Sequence, residues 1–180
     1  AYRPTGHVHW NEHLAWLRLA DGLPVHHTPR RLTGGEDMEP ILNLVREAFA
    51  YMDGIVDPPS SAHRLTAADL AARARDGEVW VIDELGVPLA CMVLTPEPGR
   101  LSIGKLAVAA GHRRKGLARQ LLDHAAARAR ALGLPLLEMR SRVELTGNHA
   151  AFAAMGFARS GETAHPGYDR PTSVTFERAV

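Results

Sequence analysis

Gly111-His112-Arg113-Arg114-Lys115-Gly116-Leu117-Ala118-Arg119-Gln120 is a short basic loop running into a helix. An apolar run, residues 101–108, precedes it and reads as a strand. Strand, turn and helix in that order gather free backbone N–H groups at the helix start, where they carry partial positive charge and bind anions. Gly116 removes the Cβ that would hold a phosphate away from the backbone, and Ala118 is nearly as small. Arg113, Arg114, Lys115 and Arg119 add charge-assisted donors. The ligand implied is a polyphosphate, most simply a pyrophosphate. Two common phosphate loops are excluded. The chain has no G-x-x-x-x-G-K-[ST] and no G-x-G-x-x-G after a strand near its start.

The pattern extends on both sides of this loop. Downstream, Leu117, Leu121, Leu122, Ala125, Ala129 and Leu132 form the buried stripe of a helix that Gly133 ends. Residues 136–141 read as a strand, residues 148–155 as a short helix, and residues 157–159 and 172–178 as closing strands. Upstream, residues 30–33 read as a first strand, and Met38, Ile41, Leu44, Val45, Ala48, Phe49 and Met52 repeat at helical spacing over 36–52. Residues 53–61 form an irregular loop dense in turn formers. Thr66 with Asp69 is a capping box for a helix that stops near Gly77. Residues 78–83 and 87–94 are strands joined at Glu84-Leu85-Gly86, and Pro96-Glu97-Pro98-Gly99 is the next turn.

Arg113-x-x-Gly116-x-Ala118 resembles the acetyl-CoA signature of the GNAT superfamily of N-acetyltransferases, R/Q-x-x-G-x-G/A. A second stretch, Asn148-His149-Ala150-Ala151-Phe152-Ala153-Ala154-Met155-Gly156-Phe157, resembles that family's asparagine, short helix and Gly-Phe segment. The resemblance covers residues 30–180 and leaves residues 1–29 as an N-terminal extension. It implies the acyl-CoA N-acyltransferase fold: an α/β chain of the α+β type, with a mixed central sheet, a splayed parallel strand pair and flanking helices. It also implies binding of acetyl-CoA as co-substrate. The backbone of Leu106, Ala107 and Val108 would pair with the pantetheine arm. Residues 113–119 would hold the pyrophosphate, with Asn148 and Phe152 near the pantetheine or thioester end. Asn148 also fits a helix N-cap, and both roles can hold.

The reaction implied is acetyl transfer from a thioester to a primary amine by direct attack in a ternary complex. An amine attacks only when unprotonated, and a lysine-type amine has a pKa near about 10.4, so a route for its proton is needed. The developing oxyanion needs a backbone donor, for which Val108 N–H is placed. Glu138, in Leu137-Glu138-Met139-Arg140, is the candidate base. The segment resembles Leu-Glu-Val-Arg of the family's ribosomal-protein alanine acetyltransferases, where the glutamate is the base. Its plainer role is as a solvated strand glutamate or a partner of Arg140. The family's usual acid is a tyrosine at the position that Phe152 holds here, which is the main departure from its pattern. Either the thiolate leaves unaided or another donor serves, with Tyr168, His165 and His149 as candidates. A non-catalytic acyl-CoA binding or sensing module is the alternative. Tyr51, Asp53, Asp57, the Pro58-Pro59-Ser60-Ser61 loop and the loop 163–171 would face the acceptor, the two aspartates drawing in a cationic amine or merely shaping a turn.

Bulk properties agree with a single domain of ordinary soluble composition. The chain has 180 residues, 46% hydrophobic and 23% charged, with net charge +1. Nothing suggests a nucleic-acid or membrane partner. One cysteine, Cys91, sits in an apolar run, as a core residue of a cytoplasmic protein would. Arginine-rich, lysine-poor usage hints at a GC-rich bacterial genome. The extension carries His7, His9, His13, His26 and His27, which would suggest a metal, but no cysteine or acidic pair accompanies them, so no metal is expected. Trp10, Leu14 and Leu17 suggest one short helix there, packed on this domain or on a second copy in a homodimer.

Overall fold

The computed structural model describes residues 27–180. Its elements run β1 (Arg30–Leu32), α1 (Glu39–Phe49), α2 (Ala67–Asp76), β2 (Glu78–Glu84), β3 (Val87–Glu97), β4 (Arg100–Val108), α3 (Leu117–Ala131), β5 (Leu136–Arg142), α4 (Thr146–Ala154), β6 (Ala158–Thr163) and β7 (Ser173–Ala179). The seven strands form one sheet in the order β1-β2-β3-β4-β5-β7-β6. All neighbours are antiparallel except β4 and β5. The crossover between those two is α3, as a parallel pair requires.

Local chemistry accounts for most of these boundaries. The Thr66–Asp69 capping box forms, with Asp69 N–H on Thr66 Oγ1 at 3.1 Å and Thr66 N–H on Asp69 Oδ2 at 2.9 Å. Leu85 and Gly86, φ 51° and 81°, make the tight hairpin between β2 and β3. Gly133, at φ 68°, follows the end of α3. One face of the sheet packs on α3 through Leu117, Leu121, Leu122 and Ala125, which meet Met92, Leu101, Leu137 and Met139. The other face packs on α1 and α2, where Val45, Leu42 and Leu70 meet Val79, Val81 and Val93. Helices on both faces let β3 read as an almost unbroken apolar run.

Several expectations shift. The α-helix of α1 stops at Phe49 and continues as a 3-10 turn, Ala50–Met52. A second 3-10 turn, Ser61–Arg64, orders the end of the loop that follows. β3 runs on to Glu97, so Pro96 lies within a strand, opposite Leu101. The turn there shrinks to Pro98 and Gly99. Leu132 caps α3 at 38% exposure rather than extending its buried stripe, because it falls past the last helical turn. α4 starts at Thr146, which puts Asn148 in its first turn; the N-cap is Leu145, so the expected capping role is corrected. The short helix expected around Trp10, Leu14 and Leu17, and the histidines His7, His9, His13 and His26, lie outside the described residues. Among the described residues no helix is long and apolar enough to cross a membrane.

Candidate active site

The site begins where β4 leaves β5. The two strands pair at Leu101–Leu137, Ser102–Glu138 and Ile103–Met139, and at no later pair. β4 also shifts register against β3, with Cys91 opposite Ala107 but Val93 opposite Gly104, so one extra residue is inserted in β4. Lys105 lies in that bulge at φ 51°, a left-handed conformation that non-glycine residues seldom adopt. The bulge bends β4 away from β5 at the point where their ladder ends. Past it, Ala107 and Val108 still pair with β3 on one side, and the side toward β5 has no strand partner. That edge of β4 offers backbone donors and acceptors to an extended ligand.

At the end of the gap, a 3-10 turn (Ala110–His112) leads to Arg114 and Gly116, both left-handed at φ 63° and 84°. Turns of this kind direct backbone N–H groups toward one side and favour anions. Gln120 N–H closes the first helical bond of α3 on Gly116 O at 3.0 Å. Helix geometry leaves the N–H groups of Leu117, Ala118 and Arg119 as surplus donors. A Cβ on Gly116 would meet only Gln120 Nε2, at 4.0 Å, so the space before the loop is open. Leu117 is buried and contributes only its backbone. Two of the four cationic side chains expected here are engaged elsewhere. Arg113 donates to Ala48 O at 3.4 Å, and Arg119 to Ala154 O at 3.3 Å. Each guanidinium caps the carbonyl end of a helix, α1 or α4. Arg114 and Lys115 are exposed beside the loop.

Several residues read from the sequence as facing the thioester or the acceptor are joined to one another. Asn148 Nδ2 donates to Tyr51 Oη at 2.8 Å. This bond joins α4 to the turn after α1, elements that cover opposite faces of the sheet. It brings together two of the residues the sequence singled out and leaves the phenol proton of Tyr51 unspent in that contact. Phe152 packs edge-on against Phe176, with ring centroids 5.5 Å apart. His149, one of the candidate acids, packs its ring near Phe176 and its Nε2 bonds Arg142 O at 2.8 Å.

Neither aspartate of the 53–61 loop is a free anion. Asp53 Oδ1 lies 2.7 Å from His63 Nε2. Asp57 accepts from Tyr168 Oη at 2.6 Å and from Arg170 at 2.8 Å. That bond raises the Tyr168 pKa, because proton loss would place a second anion against the carboxylate. The Tyr168 hydroxyl is thus turned to the 53–61 loop and clasps it to the β6–β7 loop. Arg142 tightens the same junction, donating to the carbonyls of Pro58 and Pro59 and to His165 Nδ1. Burial, and then the charge of Arg142, hold His165 below the ordinary histidine value, which suits an Nδ1 that accepts. A cleft of about 390 Å³ lies between the end of α1 and residues 60–63, lined in part by Asp53 and His63.

Glu138 stands at the vertex of the gap, one residue before the ladder ends, and is 2% exposed. Arg100 lies 3.2 Å from Oε2, and Arg140 lies 3.1 Å from Oε1. The Arg140 approach lacks hydrogen-bond alignment, so Oε1 has no hydrogen-bond partner among the described residues. Cys91 is a core residue: burial pushes its thiol up to about 12. Lys105 and His63 escaped the sequence reading. The one available signal was that the chain has only two lysines, Lys105 and Lys115, and that Lys105 sits in the strand feeding the basic loop.

The splayed pair, the bulge and the glycine turn together define an acyl-CoA N-acyltransferase fold, and comparison agrees. The acetyltransferase (GNAT) family profile matches residues 38–157, and the chain belongs to that family. No curated protein sequence matches it. Among solved structures it resembles the PaiA N-acetyltransferase of Thermoplasma acidophilum in complex with coenzyme A, at TM-score 0.71 and 13% identity over 85% of this chain and 98% of that one. It resembles an acetyl-CoA-bound GNAT acetyltransferase of Elizabethkingia anophelis at TM-score 0.62 and 17% identity, over 86% and 99%. It also resembles the ribosomal-protein-alanine N-acetyltransferase of Escherichia coli at TM-score 0.59 and 15% identity, over 85% and 93%.

Proposed function

We propose that the protein is an acetyl-CoA-dependent N-acetyltransferase that moves the acetyl group to a primary amine by direct attack. The observation that carries this reading is the parting of β4 from β5 after Ile103 and Met139, with an open helix start at the end of the gap. The pantetheine arm lies along residues 106–108 as a missing strand, and the pyrophosphate meets the N–H groups of residues 116–119. Asn148 and the ring of Phe152 flank the thioester end. The acceptor enters between the clasped loops. Its proton leaves through Glu138, a buried carboxylate whose Oε1 has no hydrogen-bond partner among the described residues, directly or by way of water. Val108 N–H stabilises the oxyanion.

Phe152 has no proton to give the leaving thiolate. In this reading Tyr51 gives it, because Asn148 binds the Tyr51 hydroxyl oxygen and leaves its proton unspent in that contact. Tyr168 keeps the loops together instead. The test is thiol release with a panel of amines, after calorimetry has established acetyl-CoA binding. Tyr51→Phe is expected to lower kcat about tenfold or more with the KM for acetyl-CoA unchanged, and Glu138→Gln to lower it further. A Tyr168→Phe variant hit harder than Tyr51→Phe would reverse the assignment. The missing hydroxyl at Phe152 also favours a second reading, a binding module without turnover. Tight coenzyme binding with no amine-dependent thiol release would select it.

A further inference from the structure

An amine-acylating site with a lysine of its own at the vertex has a nucleophile that the mechanism above does not use. Lys105 is that residue. It lies in the β4 bulge, two residues past the last β4–β5 pair, in a left-handed conformation that the inserted residue imposes. The side chain is half-buried and reaches to the acceptor side, where Nζ donates to Ser61 Oγ at 2.7 Å. Ser61 opens the 3-10 turn that ends the acceptor loop. The amine therefore meets the segment read as receiving the acceptor, from the strand whose free edge lines the gap. The rest of the chain avoids lysine: 19 of its 21 cationic residues are arginine, and the other lysine, Lys115, is exposed on the pyrophosphate loop.

We propose that Lys105 is a self-acylation site, modified by the acyl-CoA bound in the neighbouring gap. This rests on the acyl-CoA reading above. The neutral amine attacks the thioester carbonyl carbon, a C–N bond forms and the C–S bond breaks. The electron pair leaves on sulfur, and the amine's surplus proton ends on the thiolate or in solvent, giving acyl-lysine and free coenzyme A. Burial, and then the charge of Arg73, hold the Lys105 ammonium below the ordinary lysine value, so its neutral form is present at lower pH than for an ordinary lysine. The amide is too stable to pass its acyl group on. Its effect is on the loop: an amide nitrogen carries no charge and a single N–H, so the bond to Ser61 weakens and the turn at residues 61–64 is released. Acylation would thus alter acceptor entry when coenzyme is abundant and acceptor is scarce.

The experiment is to incubate the full chain with acetyl-CoA and no acceptor, following free thiol, intact mass and the acetylation of each amine by peptide mass spectrometry. The expected result is a burst of one thiol per chain, a mass gain of one acetyl group, and Lys105 modified roughly tenfold or more faster than Lys115 or the N-terminal amine. Excess coenzyme A should suppress modification at Lys105 and leave the bulk reaction of the other two unchanged. Lys105→Arg, which keeps a donor for Ser61, should lose the burst. Equal rates at all three amines, or a Lys105 rate insensitive to coenzyme A, would overturn the proposal. If an amine acceptor is turned over and Lys105 stays unmodified, the proposal fails and the acetyltransferase reading stands. If acetyl-CoA does not bind, both fail together.

Discussion

Replacing Gly116 with glutamate is expected to weaken acetyl-CoA binding about 100-fold or more, equivalent to about 2.7 kcal/mol, while the chain still folds. Two effects are joined in this substitution and a second variant separates them. At φ 84° any L-residue is strained, by about 1–2 kcal/mol, which Gly116→Ala would already show. The neighbourhood adds little to that strain, because the new Cβ meets only Gln120 Nε2 at 4.0 Å. Glutamate adds a carboxylate at the positive end of α3, on the spot assigned to the pyrophosphate. The alanine variant is therefore expected to lose only a few-fold in affinity, and the glutamate variant to lose binding. Calorimetric titration with acetyl-CoA, with adenosine diphosphate as control, reads both. Retained affinity in Gly116→Glu would mean that the start of α3 does not hold the pyrophosphate.

The second large effect is on stability and lies away from the site. Glu78, the first residue of β2, is 4% exposed. Arg128 of α3 lies 2.8 Å from it, Trp80 Nε1 donates to it at 2.8 Å, and Arg31 stands 4.0 Å away. Arg128→Ala leaves that carboxylate buried without its main partner and is expected to cost about 3 kcal/mol or more. For a chain of this size that lowers Tm by about 6–12 °C, measurable by thermal unfolding. Adding Glu78→Leu should recover most of the loss and not all, since the Trp80 N–H then has no acceptor. The pH dependence has a definite sign. Burial pushes the Glu78 carboxyl up, and the bonds from Arg128 and Trp80 more than reverse this, so it ends below the ordinary value. Its contribution is present above the pKa of an unfolded glutamate, about 4.3, and is lost as pH falls through the lower folded value. In Arg128→Ala that support is gone and burial remains, so the variant's deficit should shrink toward acid. An unchanged Tm in Arg128→Ala would show that the other two contacts suffice.

What was legible in the sequence is what short-range chemistry determines. The α3 stripe from Leu117 to Ala129, the Thr66–Asp69 box, the Leu85–Gly86 turn and the position of the basic loop at a helix start are set by near neighbours in the chain, and these appeared as read. The order of elements followed from them. The family resemblance supplied the splay, which no periodicity reveals. What stayed hidden depends on residues far apart in the chain. Asp57 looks like a free anion until Tyr168 and Arg170, more than a hundred positions later, close on it. The same holds for Glu78 with Arg128 and for Asn148 with Tyr51. The bulge was hidden for another reason: the left-handed position falls on Lys105 and not on the adjacent Gly104, where conformational freedom would have marked it. Pro96 misled because its place opposite Leu101 is set by the long β3–β4 hairpin and not by its own preference for turns.

The parallel ladder between β4 and β5 is only three pairs long. Beyond those pairs, hydrogen bonding leaves a four-strand and a three-strand block, and side chains of both blocks pack together under α3. A ligand seated in the gap would add backbone bonds where the chain itself has none, so occupancy and cooperativity are coupled. With the coenzyme bound, the two blocks should open as one unit, and the protein should gain stability as RT ln(1 + [L]/Kd). Without it, the seam is where sub-global opening should begin. Coenzyme supply would then influence how long the chain survives as well as how fast it works.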